Sequence, residues 1–213
     1  MKTKNFWRQI LLFSLLVLSI SGCTPFIVKV DSISDVRIKT GKQYILVSGM
    51  EGITEEKDLQ FREFAEYVRR GLYIKGYIPE KYVDKMDIAI LLSYGIGEPK
   101  IIYYSSSEWV FDPSVNGSVK SQPQLRSTKE YHRYLVLKAL DLSEYKRGGK
   151  FIPIWEVIVT SYGSSGDLRR VFPVLVAAAL PYIGTNTGKK VNVLLTEIND
   201  NVKFIKGAKA TKP

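Results

Sequence analysis

The densest cluster of chemically capable residues is the stretch SYGSSGDLRRVF, from Ser161 to Phe172. Glycines and serines there separate an alternating apolar run from a second apolar run, so the stretch reads as a strand giving way to a helix. Unpaired backbone N–H groups at a helix start attract anions, and Arg169 and Arg170 would strengthen that attraction. Asp167 opposes it, because as the acid of a capping box with Ser164 it supplies an anion of its own. The stretch therefore reads chiefly as a capped connection, with Arg169 and Arg170 kept as binding candidates.

Other chemistries are thinly represented. The chain has one histidine, His132, and one cysteine, Cys23. A Ser–His–acid set would have to use His132 as its base, and Gly163-Ser164-Ser165-Gly166 lacks the spacing of a nucleophile elbow. Structural zinc held by Cys and His is excluded by their number. Glu55 and Glu56 are paired carboxylates explained by a helix N-terminus. Gly184-Thr185-Asn186-Thr187-Gly188-Lys189-Lys190 has a shorter gap between its glycines than a phosphate loop, and Lys190 stands where Ser or Thr would meet magnesium. It reads as a helix-to-strand turn. Tyr103, Tyr104, Trp109 and Phe111 border a polar segment; they form either a stacking surface for sugar or peptide or half-buried strand residues covering an open sheet face. No catalytic set, metal site or cofactor is expected.

The beginning of the chain carries an address. Lys2, Lys4 and Arg8 precede the apolar run Ile10–Ile20, and Ile20-Ser21-Gly22-Cys23 closes it with small residues. This is the pattern of a secretory signal peptide, with an apolar run too short to span a bilayer comfortably. The small residues before Cys23 resemble a bacterial lipobox, which implies cleavage after Gly22 and acylation of Cys23. Lipidation also accounts for a lone cysteine in an exported chain, and more than one acyl chain gives a stable membrane anchor. Thr24, rather than Asp, in second place implies the outer membrane of a two-membrane envelope, facing the periplasm. Removal of residues 1–22 from the 213-residue chain leaves 191, enough for a single domain. The net charge of +10 includes three positives in the leader, so the mature chain stays basic. Export argues against nucleic acid as the partner of that charge; anionic headgroups, cell-wall polymers such as peptidoglycan or an acidic partner fit better, and the charge otherwise serves solubility.

Positioning elements follow from periodicity. Phe26 to Ile33 alternates as an edge strand, within an anchor, tether and edge-strand segment spanning 23–40. Tyr44–Ser48 is a short strand. Thr54 reads as an N-cap, and Phe61, Phe64, Ala65, Val68 and Leu72 mark one face of a helix over 54–75 that Gly76 stops. Met86–Tyr94 alternates as a strand, which Ile101–Tyr104 extends. Glu108–Phe111 forms a short pairing, and Asp112–Thr128, rich in Ser, Pro, Asn and Gly, reads as a long loop. Tyr131–Leu142 and Phe151–Tyr162 are strands of a hairpin turning at Arg147-Gly148-Gly149. Leu168–Ile183 is a second helix ending near Pro181, 190–197 a last strand, and Asn199–Gly207 a final helical turn. Two βαβ halves with an extra hairpin strand predict an α+β two-layer sandwich: a mixed sheet with two main helices on one face. Residues 41–207 make this one domain, and 208–213 a flexible tail.

Three stretches together, DLQFREFAEYVRRGLYIKGY, DIAILLSYGIGEP and GKFIPIWEVIVTSYGSSGDLRRVFPVLVAAALPYIG, resemble bacterial lipoproteins of the type called domain of unknown function 4136. The resemblance rests on Lys75-Gly76-Tyr77, Ile88–Leu92 and Trp155, and runs over residues 26–207. It implies an envelope location and a fold, and no catalytic residue. The expected function is a non-enzymatic, lipid-anchored envelope protein that binds or scaffolds another component. Its partners are the membrane, through the N-terminal lipid, and an envelope protein or peptidoglycan. The alternative is a periplasmic hydrolase or carbohydrate-binding enzyme that uses His132 with a loop serine or acid.

Overall fold

The computed structural model describes residues 25–35, 41–112 and 118–208; the expected signal peptide, Cys23 and residues 209–213 of the tail lie outside them. Helix α1 (Leu59–Ile74) forms where the periodicity places it, burying Phe61, Phe64, Ala65, Val68 and Leu72. Its N-cap is Asp58, four residues later than the expected Thr54, and the Asp58 carboxylate accepts from the Phe61 N–H at 2.8 Å. Thr54 instead heads a turn, its carbonyl accepting from Lys57 and Asp58. Gly76, at φ 77°, ends the helix. Its left-handed backbone lets Gly76 N–H reach the Tyr73 carbonyl and Tyr77 N–H reach Leu72, the paired bonds of a Schellman cap.

The remaining elements, in chain order, begin with β1 (Phe26–Ser34) and β2 (Gln43–Ser48) before α1. After it come β3 (Ile78–Pro79), β4 (Ile88–Ile96), β5 (Lys100–Asp112), β6 (Ser118–Asp141) and a short α2 (Ser143–Lys146). They close with β7 (Ile152–Gly163), α3 (Leu168–Ala179), β8 (Val191–Leu195) and α4 (Asp200–Ile205). This is an α+β fold: the sheet order is β3-β2-β4-β6-β7-β1-β8, with β5 paired to β6 alone. The first βαβ unit is adjacent, since β2 and β4 pair in parallel. The second is split. β1 lies between β7 and β8, antiparallel to both.

That placement corrects the expectation of an edge strand at Phe26–Ile33. The alternation Val28, Val30, Ser32 buries one side of the strand, and a half-buried alternating strand looks the same in sequence whether one or both edges are paired.

The core lies between the sheet and helices α1 and α3. Ile88, Ile90, Leu92 and Tyr94 of β4, Leu135, Leu137 and Ala139 of β6, and Val157 and Val159 of β7 face the helices. Ten of the twelve residues of α3 are buried, Pro173 among them. Phe172 stacks on Phe64 of α1 with ring centroids 4.1 Å apart. The helices meet closely because position 71 has no side chain: a Cβ on Gly71 would come within 2.9 Å of Val176 Cγ1. Burying each large apolar side chain of this kind contributes about 1.5–3 kcal/mol, so the helix pair anchors the domain. Helix α3 gives way at Leu180–Tyr182 to a 3-10 turn containing Pro181, which agrees with the expected end.

The long loop expected over Asp112–Thr128 is mostly strand. β6 is one strand of 24 residues, and its first half pairs with β5 from Lys100↔Glu130 to Asp112↔Ser118. The result is a two-stranded arm about 40 Å long at 3.4 Å per residue.

Candidate functional site: an exposed β-arm and a buried arginine

Pairing register assigns each side chain of the arm to a face. Ile101, Tyr103, Trp109 and Phe111 of β5 share one face with Val119, Pro123 and Leu125 of β6. The opposite face carries Lys100, Tyr104, Glu108, Lys120, Arg126 and Glu130, with Glu108 and Arg126 ion-paired at 3.6 Å. The apolar face has one charge, Lys129, at its root. Trp109 is 73% exposed and Leu125 77%. Three of the four aromatic candidates, Tyr103, Trp109 and Phe111, thus line one face, and Tyr104 lies on the other. They do not cover the open face of the main sheet, which corrects that expectation.

The apolar face of the arm continues the core face of the body. Odd-numbered positions of β6 point under the helices at Leu135, Leu137 and Ala139, and the same parity carries on to Leu125, Pro123 and Val119. In the body that side is buried. In the arm it is bare.

The loop after β7 is a capped connection, with a different residue as cap. Asp167 itself is the N-cap of α3, accepting from the Arg170 N–H at 3.2 Å, so the expected capping by Ser164 is corrected. Ser165 Oγ in turn accepts from Asp167 N–H. The two arginines kept as candidates tie elements together: Arg169 bonds Glu63 of α1 at 2.9 Å, and Arg170 bonds Glu197 at 2.6 Å. They are far along the chain from the aromatic candidates, and their ion pairs go to Glu63 and Glu197.

Sequence reading missed the residue beneath this loop. Arg133 is 1% exposed. Its Nη2 donates to Ser161 Oγ at 3.0 Å and its Nη1 to the Ser165 carbonyl at 3.3 Å. Its Nε has no partner, alone among the buried side-chain nitrogens and oxygens of the described residues. Burial pushes its pKa down, with a smaller opposing pull from Glu130. A signal for it existed: Arg133 is in phase with Leu135 and Leu137, so the alternation itself places a cation on the core side. A pocket of about 240 Å³ opens beside it, lined by Phe26, Tyr162, Gly163, Ser164, Ser165 and Arg170 among others.

His132, one residue before, faces away from the core and stacks on Tyr162 with centroids 4.8 Å apart. Gly184–Lys190 is a turn fastened to β1, where Ser32 Oγ lies 2.8 Å from both the Tyr182 and Thr185 carbonyls and shares its single proton between them. A larger cleft of about 780 Å³ lies beside β2, lined by Tyr44, Phe61, Arg69 and Glu55 among others. Its arginine is already neutralised by Glu55. Burial pushes the Tyr44 hydroxyl up to about 12 there. Among the described residues no cluster of three metal-ligating side chains occurs and no helix is long and apolar enough to cross a membrane.

No family model and no curated protein matches the chain. Among solved structures it is similar to a PDZ-domain protein from Parabacteroides distasonis, at 12% identity and a TM-score of 0.45, over 81% of this chain and 39% of that one. The chain thus spans 39% of that protein's length, and a likeness of this size transfers no residue role.

Proposed function

We propose that the chain is a lipid-anchored protein of the bacterial cell envelope that binds or scaffolds another envelope protein and catalyses no reaction. The leader over residues 1–22, followed directly by Cys23, supports the anchor. The observation that carries binding is the arm, where the core-facing parity of β6 runs on with nothing over it. Exposed large apolar side chains gathered on one face, here Tyr103, Trp109, Phe111, Val119 and Leu125 with serines between them, mark a partner site. The covered half of the same face specifies the occupant's chemistry: α1 and α3 cover it with uncharged apolar side chains. With only Lys129 charged on the arm's face, the partner is an amphipathic segment of another protein, apolar toward the arm.

Photoreactive side chains at positions 109 and 125 test this in cells, with positions 122 and 124 on the opposite face as controls. The expected result is one discrete protein adduct from 109 and 125, absent from 122 and 124, and lost when Tyr103→Glu is added. Adducts from both faces alike, or from neither, would overturn the reading.

A further inference from the structure

We infer that the pocket over Arg133 is a binding site for a phosphate group. Arginine stays protonated in proteins, so Arg133 carries its charge into the core. Taking a cation out of water without an anion costs several kcal/mol, and the Arg133 guanidinium forms no ion pair among the described residues. Its two hydrogen bonds go to a hydroxyl and a carbonyl, neither of which neutralises it, and its Nε is left over.

The surroundings lack the anion and leave room for one. Asp167, the nearest acid in the loop, spends its carboxylate on the Arg170 N–H. Glu197 is taken by Arg170 and Lys206. Glu130 acts on Arg133 only through space. The pocket wall is formed by Gly163, Ser164 and Ser165 with Arg170, at the amino end of a twelve-residue helix. Small residues, hydroxyls and a guanidinium fork are groups that recognise phosphate. A Cβ at position 163 would fall 2.6 Å from Arg133 Nη2, so the glycine keeps the guanidinium's approach open.

Two sources supply such a group. Pro25, Phe26 and Ile27 form the pocket's other wall. If Cys23 is acylated, a point that rests on the function proposed above, two residues of chain put the pocket within about 7 Å of the anchor. The phosphate of a lipid headgroup is then within reach. A soluble phosphate compound is the other source.

The test uses the full chain in detergent, carrying Cys23→Ser to remove the acyl group, and reads thermal unfolding. Inorganic phosphate and dihexanoyl-phosphatidylglycerol below its micelle concentration are titrated separately, against sodium chloride at equal ionic strength. The expected result is a Tm that rises by several degrees with one of the two. Response to the lipid at lower concentration assigns the headgroup; response to inorganic phosphate assigns a soluble ligand. Arg133→Met should abolish the rise while unfolding no earlier than the parent, since an apolar side chain of similar length removes an unpaired buried charge. Arg133→Lys, which keeps the charge without the fork, should weaken the response at least tenfold. No rise with either probe, or an equal rise in Arg133→Met, overturns the site. Neither result bears on the arm, whose crosslinking pattern is read independently.

Discussion

Excision of the arm separates what holds the fold together from what the fold presents. Lys100 and Glu130 are cross-strand partners, so residues 101–129 can be replaced by Asn-Gly, a two-residue turn suited to that gap. Among the described residues none between 100 and 130 is buried, apolar or polar. The excision therefore removes no core packing, and the change in unfolding free energy should stay within about 0.5 kcal/mol, the range of ordinary surface substitutions. It also removes the exposed side chains of Trp109, Phe111 and Leu125, so solubility should rise. Urea unfolding followed by tryptophan fluorescence measures this well, because Trp155 is buried in the core and Trp109 leaves with the arm. A midpoint lowered by the equivalent of about 2 kcal/mol or more would refute the argument. It would mean that the arm packs on the body and that its apolar face is part of the core.

Two further outcomes follow from the caps and the buried tyrosines. Asp167→Ala should cost about 1 kcal/mol as a lost N-cap, whereas Ser164→Ala should change urea stability by less than about 0.5 kcal/mol; the reverse order would restore the capping box with Ser164. Burial raises the hydroxyls of Tyr44 and Tyr94 to about 12 each, above their value near 10 in the unfolded chain. Their contribution is complete below pH 10 and is lost as pH rises from there to about 12, because the unfolded chain releases those protons first. Urea midpoints should fall across that window, and Tyr44→Phe should flatten the fall.

What the sequence disclosed depends on whether a residue's surroundings leave a trace in its neighbours. Helix α1 was legible because Phe61, Phe64, Ala65, Val68 and Leu72 recur at helical spacing and Gly76 follows. β4 was legible because Ile88, Ile90 and Leu92 alternate. The arm was not. Alternation is imposed by burial on one face, and in β6 between 118 and 130 the apolar positions Val119, Pro123 and Leu125 are interleaved on their own face with Ser121, Ser127 and Lys129. Pro123 also argued against a strand, yet it is tolerated where both edges of a ribbon lack further partners. Arg133 was overlooked for a different reason: among Tyr131, His132 and Tyr134 it reads as one more polar strand residue, and only its phase with Leu135 reveals its side.

The position of β1 has a consequence for the order of events in folding. It is the first strand among the described residues, and its neighbours β7 and β8 come from much later in the chain: Val28 pairs with Ser161 on one side and Val193 on the other. Until both are available, Val28 and Val30 have no place to go, and β7 offers an open edge. Closure of two such distant pairings is entropically slow. The split βαβ unit therefore makes completion of the sheet a late event, during which the nascent first strand must be kept from pairing elsewhere.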